Sequence, residues 1–490
     1  MTLHRSGCVD YRFASQLFVL TGLFFVVWGH AIFAPYWQDD FLFLVEARDA
    51  RISGMSVFDQ LVNLPEAGYW RPLGVQAYWR LLEGVFGGNV LVTHAFGVFL
   101  HLLSAVLVGC LCATFLVAIG RRDISKKGGL YGGFLYSIHP AHFVAVVWVA
   151  AANSTLSIIF SVLTLIALLI SMVQGRGWKI WNILMPVFFA LALLTRESVA
   201  VLPALGVILY LIVKPKRVSR ALAVSALVSI AVLFLWLLTR QSMVGDVGEE
   251  YSPVLGLNVF RNIAGLFAFT IGIPREAVRF VVEQHSMAAL LWALASSVFY
   301  VSVFALLARA GRNAVGREKS GLLMLFFLVG CAIYVILAWN CYGYYVSLSL
   351  VAYALFAALA LSQGIRPAAV LGVAVLGSVL SLYVNYALPY PSLIGRANWA
   401  EDQLREINEL LGTHAREVER RGLDVHVENR HKFFAIGPSG IAYTLGIRAD
   451  KIRVRHDQDI ARTDRFVLVV PDSGHAYLAD SFPAFLSDTD

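Results

Sequence analysis

Apolar runs of about twenty residues recur along the first four-fifths of this 490-residue chain, and they decide what it can fold into. A bilayer offers no hydrogen bonds to the backbone, so such runs must be helices that satisfy their own N–H and C=O groups. The chain is 58% hydrophobic and 14% charged, against roughly 25% charged for a soluble domain. It reads as a polytopic α-helical membrane protein. Its net charge of +7 calls for no nucleic-acid partner, because the basic residues sit in short loops between apolar runs. The five cysteines show no metal spacing.

The first run, Leu17 to Ala34, is long for a signal-peptide core and leads into Pro35, so it is expected to stay as a helix. Further spans are expected at Val90–Ile119, Leu130–Ala150, Ser154–Met172, Ile180–Leu194, Val199–Val213 and Ala221–Thr239. Met287–Ala308, Gly321–Ala338, Tyr345–Leu361 and Ala368–Tyr386 complete the set, giving about eleven crossings. Basic loops at Arg121–Lys127, Lys214–Arg220 and Arg309–Lys319 belong on the cytoplasmic side. That sidedness leaves Leu257–Gln284 as a re-entrant or interfacial helical pair broken at Ile273-Pro274. It also places the N-terminus in the cytoplasm and the C-terminus outside, as for an integral protein of a bacterial-type inner or plasma membrane.

Residues 1–388 thus form a membrane module and residues 389–490 a small extracytoplasmic α/β domain. In the latter, Trp399–Arg421 has helical periodicity, and Val425–Val427, Lys432–Ile436, Lys451–Val454 and Phe466–Val470 read as strands. The external loop 35–89 carries an amphipathic pattern suited to short interfacial helices.

That loop opens with Tyr36-Trp37-Gln38-Asp39-Asp40-Phe41. Two adjacent carboxylates at the mouth of a membrane helix are functional candidates. The bland alternative is a solvated helix end. The same topology brings Arg71, His139, His142, Arg196, Glu197, Asn340 and Tyr342 to Tyr345 to the external face. A carboxylate there can take the proton from an attacking hydroxyl, and arginine offers a rigid fork to phosphate oxygens. Each group also has a structural reading. Arg71 could pair with Glu66 or Asp40. Arg196 and Glu197 could be a buried pair joining two spans. The histidines, with Pro140 between them, could simply anchor a helix start, and the tyrosines could form an interfacial belt.

The ordered set of motifs resembles the GT-C membrane glycosyltransferases, and more narrowly the protein O-mannosyltransferase-like families, including membrane mannosyltransferases with tetratricopeptide repeats. The resemblance rests on Asp39-Asp40 after the first helix, Trp70-Arg71-Pro72-Leu73, and His94 to His101. It continues through His139-Pro140-Ala141-His142 with Val147-Trp148-Val149, Thr195-Arg196-Glu197-Ser198, and Tyr342-Gly343-Tyr344-Tyr345, over about the first 360 residues. It implies a GT-C fold and transfer of a sugar, mannose in the nearest families, from a polyprenyl-phosphate donor to an extracytoplasmic protein, lipid or glycan. In that reading Asp39 is the favoured general base, with Asp40 close behind. Arg71, His139, His142, Arg196, Glu197 and Tyr344 would contact substrate. No cofactor is required, although an acidic pair could hold a divalent ion.

The chain departs from the pattern at Val144, where many relatives carry an acid. It departs again at Asn153, and at Asn340-Cys341, which lacks the basic residue expected before Tyr342. It carries no tetratricopeptide repeats. Two other readings stay open: a transporter or flippase of lipid-linked substrates, against which the absence of a repeated half counts, and a non-catalytic scaffold. The topology predicts that single cysteines in the three basic loops react with an impermeant thiol reagent only after permeabilisation. A cysteine in the tail beyond Pro389 should react in intact cells; protection there would reverse the assignment of Leu257–Gln284.

Overall fold

A computed structural model describes residues 11–62, 70–173, 179–244, 252–338, 341–361, 366–455, 465–472 and 474–479. Apolar helices occupy each expected span. Among the described residues six are long and apolar enough alone to cross a membrane, or seven if the bent pair Arg122–Ser137 and Pro140–Val147 counts as one. Helix α1 (Tyr11–Trp28) is the first of them. The bent pair turns by 51° because Pro140 has no N–H to continue the ladder, so the expected straight span Leu130–Ala150 is broken at His139. The two expected spans on either side of the third basic loop are two helices joined end to end within Met287–Val335. They meet at Gly316, whose φ of 81° leaves the helical region.

Helix Leu350–Leu361 is apolar on every side and buried at all twelve positions, as a helix inside a bundle should be. It packs against the Met287–Val335 and Ser125–Ser137 helices. Leu257–Thr270 and Arg275–Gln284 form two helices separated by Ile271–Pro274, the break expected at Ile273-Pro274.

The loop after α1 folds into helix α2 (Asp39–Ile52), two shorter helices, Val57–Val62 and Tyr78–Phe86, and a wide helical turn at Pro72–Ala77. Beyond Pro389, helices Leu393–Leu411 and Ala415–Arg421 precede a four-stranded sheet. Its strands β1 (Leu423–Val427), β2 (Ile452–Arg455), β3 (Phe466–Val470) and β4 (Tyr477–Leu478) lie in the order β2-β1-β3-β4. β1 runs parallel to β2 and β3, while β4 is antiparallel. The expected strand Lys432–Ile436 is instead the end of the helix Arg430–Phe433 and a turn over Phe434 to Ile436. Asn429 caps the helix Arg430–Phe433 by accepting hydrogen bonds from the His431 and Lys432 amides at 3.0 and 3.1 Å.

One buried acid holds the sheet. Asp424 on β1 is 1% exposed and lies 2.6 Å from Arg465 and 3.0 Å from Arg455. Removing it leaves two guanidiniums facing each other. Asp424→Ala should lower stability by about 2–3 kcal/mol, less than for a fully buried pair because Arg455 reaches solvent. Increased proteolysis confined to the region beyond Pro389 is the expected readout.

Candidate active site

The candidate site lies in the connection between α1 and α2. The geometry starts at Gln38, whose φ of 56° and ψ of −119° are unusual for a residue with a side chain. Its amide donates to the Ala435 carbonyl at 2.8 Å, so the C-terminal segment holds this turn in place. The turn separates the two acids. Asp40 points inward and is 0% exposed. Its Oδ1 accepts from the Ala150 amide at 2.7 Å and its Oδ2 from the Trp37 amide at 3.2 Å. Burial, with Asp39 adding to it and the two amides opposing, pushes the Asp40 pKa well above the usual carboxylate range. Asp39 stays half-buried in the first turn of α2, where the helix dipole favours a carboxylate.

From Trp37 an aromatic row crosses the site. Its indole lies 5.0 Å from that of Trp148, and Trp148 lies 6.3 Å from Tyr342, centroid to centroid. Tyr342 stacks on Tyr344 at 5.3 Å. Three guanidiniums sit on this row: Arg396 is 5.3 Å from the Trp37 centroid, Arg275 is 4.4 Å from Tyr342 and Arg196 is 4.9 Å from Tyr344.

Arg196 is 5% exposed. It donates to Asn153 at 3.1 Å and to Ser154, and the rings of Tyr334 and Tyr345 also pack on it. Glu197 pairs with Arg71 instead of Arg196, through two hydrogen bonds of 2.9 and 2.5 Å. Of the alternatives weighed from sequence, Arg71 takes Glu197 rather than Asp40, and Glu66 lies outside the described residues. The pairing needs close approach, and Gly74 permits it, since a Cβ there would collide with the Thr195 carbonyl oxygen.

The histidines lie within the helix packing. His139 is 0% exposed, with Nε2 on the Thr270 carbonyl at 3.1 Å and Nδ1 accepting from the Ala141 amide at 3.3 Å. His142 is 2% exposed, 3.1 Å from the Ser347 hydroxyl and packed on His101 and Tyr136. Their partners favour the anchoring role. Among the described residues no cluster of three or more His, Cys, Asp or Glu is arranged to hold a metal. Asn340 lies outside the described residues.

The structure thus joins Asp39, Asp40, Arg71, Arg196, Glu197 and Tyr344. It adds Arg275 and Arg396, which the sequence analysis did not single out. Arg275 follows the helix break at Pro274, pairs with Glu276 at 2.8 Å and lies over the Tyr342 ring. Arg396 sits in the first turn after Ser392, in a segment whose pattern spoke only of a charged helix.

The Arg71–Glu197 pair predicts strong coupling. Arg71→Ala and Glu197→Ala should each destabilise the protein, and the double variant should be little worse than either. A double-mutant cycle on detergent-titrated unfolding should return a coupling of about 2 kcal/mol. Additive losses would show the pair to be idle.

Residues 91–241 match the family described as Dolichyl-phosphate-mannose-protein mannosyltransferase. No curated protein matches the sequence. Among solved structures, the chain resembles ArnT from Cupriavidus metallidurans bound to undecaprenyl phosphate. The TM-score is 0.55 at 10% identity, covering 90% of this chain and 86% of that one. It also resembles the oligosaccharyltransferase of Archaeoglobus fulgidus, solved with Zn and sulfate, with a TM-score of 0.51 at 10% identity, covering 90% of this chain and 62% of that one. At such identities the likeness is one of fold. The chain is an integral membrane protein of the GT-C glycosyltransferase fold that carries, over residues 91–241, the matched segment of that mannosyltransferase family.

Proposed function

We propose that the protein transfers a sugar, mannose being the leading choice, from a polyprenyl-phosphate donor to a hydroxyl of an extracytoplasmic acceptor, with Asp39 as general base. The observation that carries this reading is the Arg396 guanidinium stacked on Trp37, two residues before Asp39, with a buried Nε that has no hydrogen-bond partner. Burial lowers the Arg396 pKa, and Arg279 and Arg275 lower it further while Glu276 opposes them. An anion seated there would relieve that crowding. A lipid phosphate beside an acid is what sugar transfer needs.

In the proposed step the acceptor oxygen attacks the anomeric carbon as its proton passes to Asp39. The bond from that carbon to the phosphate oxygen breaks, and its electron pair leaves with the phosphate. Charge grows on that phosphate, so a guanidinium beside it stabilises the transition state more than the ground state. Arg71 pairs with Glu197, and Arg196 donates to Asn153 and Ser154 among three tyrosine rings while its buried Nε, like that of Arg396, has no hydrogen-bond partner. Arg396 takes the phosphate together with Arg275, which pairs with Glu276 at 2.8 Å and is 22% exposed. Asp40 positions Asp39 and touches no substrate. A divalent ion would have to bind through Asp39, and the step as written uses none.

The test is binding and turnover in lipid nanodiscs with a short-chain polyprenyl-phosphate mannose. Arg275→Ala and Arg396→Ala should each weaken binding of the polyprenyl phosphate and lower turnover by about tenfold or more. Arg396→Lys, which keeps the charge but loses the fork, should fall between. Normal binding and turnover in the Arg275→Ala/Arg396→Ala protein would move the donor site elsewhere.

A further inference from the structure

Helix Val90–Ala118, about 43 Å long at the helical rise, carries the chain from the loop that holds Asp39 to the first basic loop. At that far end the structure gathers the three basic loops. The Arg121 guanidinium donates to the Ala314 carbonyl at 2.9 Å, and Lys214 pairs with Glu318 at 2.7 Å. Glu318 is the only acid between Met287 and Val335, so Arg309, Arg312, Arg317 and Lys319 leave a positive excess there. Where the two helices meet at Gly316, an open cavity of about 380 Å³ is lined by Ala308, Arg312, Arg317, Ser320, Met324 and Phe356.

Three of these groups lack a partner. Neither Arg312 nor Arg317 has an ion pair or a hydrogen bond among the described residues. Arg312 is near the end of the first helix, where the dipole favours a cation, but Arg317 opens the second, where the dipole disfavours one. The Ser320 hydroxyl oxygen is buried and makes no hydrogen bond. A helical serine ordinarily donates to the carbonyl four residues back. Here that residue is Gly316, where φ of 81° and ψ of 171° take the backbone out of the helix. Two unpaired guanidiniums and a spare hydroxyl around one cavity suit an anion with several acceptor oxygens, and phosphate is the group that arginine's fork matches.

The cavity continues into apolar surface. Phe356 comes from the buried helix Leu350–Leu361, and Met324 lies one turn below Ser320. Arg317, Ser320, Met324 and Leu328 follow at spacings of three and four, so they share one helix face. Along that face Met324 is 37% and Leu328 56% exposed, as side chains that meet lipid should be. A free anion would use only the polar end of this face, whereas an amphiphile uses all of it.

We propose that this cavity binds an anionic phospholipid, its phosphate held by Arg312, Arg317 and the Ser320 hydroxyl and its acyl chain laid along Met324 and Leu328. The site is separate from the donor site and does not depend on the transfer reaction. The test titrates full-length protein in detergent with short-chain phosphatidylglycerol or phosphatidylcholine and counts bound lipid by native mass spectrometry. Phosphatidylglycerol should bind about tenfold tighter or more. Arg312→Gln with Arg317→Gln should bring the two lipids within about threefold of one another. Arg309→Gln with Lys319→Gln removes the same charge from the same helices outside the cavity and should keep the preference. All four side chains are exposed, so both proteins should unfold as the wild type does. Arg312→Lys with Arg317→Lys, which keeps the charge but loses the fork, should fall between. Inorganic phosphate should not displace the lipid. Equal binding of the two lipids, a preference that survives loss of Arg312 and Arg317, an equal loss in the Arg309 and Lys319 protein, or displacement by inorganic phosphate would overturn the proposal.

Discussion

The structure of the site depends on one carboxylate that faces away from it. Asp40 binds the amides of Ala150 and Trp37 and thereby ties the end of α1 to the turn between the Phe143–Val147 and Ala152–Val173 helices. Through that tie Trp37 meets Trp148, and through Trp148 the row reaches Tyr342 and the connection before helix Leu350–Leu361. A buried carboxylate with two amide donors is rigid and costly to disturb. The acid pair is consequently two different objects: an anchor, and beside it a half-buried acid held at the start of a helix. The strained backbone at Gln38 is the physical means of separating them, and the Ala435 carbonyl holds that strain in place.

The cations differ in their partners. Arg71 pairs with Glu197 and Arg275 with Glu276, while Arg196 and Arg396 each keep a buried Nε without a hydrogen-bond partner. Arg275 and Arg396 each lie over an aromatic ring of the row. The C-terminal segment supplies Arg396 and the carbonyl that holds Gln38. A segment that looks appended in sequence is therefore part of the site. The long apolar helices mainly set where these connections meet.

Much of this was legible in the residues. The apolar runs located the helices, and Pro274 located the break in the Leu257–Gln284 pair. Asp39-Asp40, Arg71, Glu197 and Tyr344 were singled out as candidates because their short motifs sit between spans. Pairing was not legible. That Glu197 reaches Arg71 across 126 positions rather than its neighbour Arg196 depends on the Gly74 close approach. Arg275 and Arg396 were missed because neither stands in a polar motif; only the fold lays them over Trp37 and Tyr342. The strand expected at Lys432–Ile436 failed because a local cap, Asn429, outweighed a short apolar run.

The central claim, that the acid pair divides into an anchor and a base, is tested most directly by measuring unfolding and sugar transfer side by side in Asp39→Asn and Asp40→Ala proteins. Asp39→Asn should unfold as the wild type does and lose transfer by about two orders of magnitude. Asp40→Ala, which strands two buried amides, should lose about 2–4 kcal/mol of stability. A stable Asp40→Ala protein, or an Asp39→Asn protein that transfers sugar at the wild-type rate, would contradict the account.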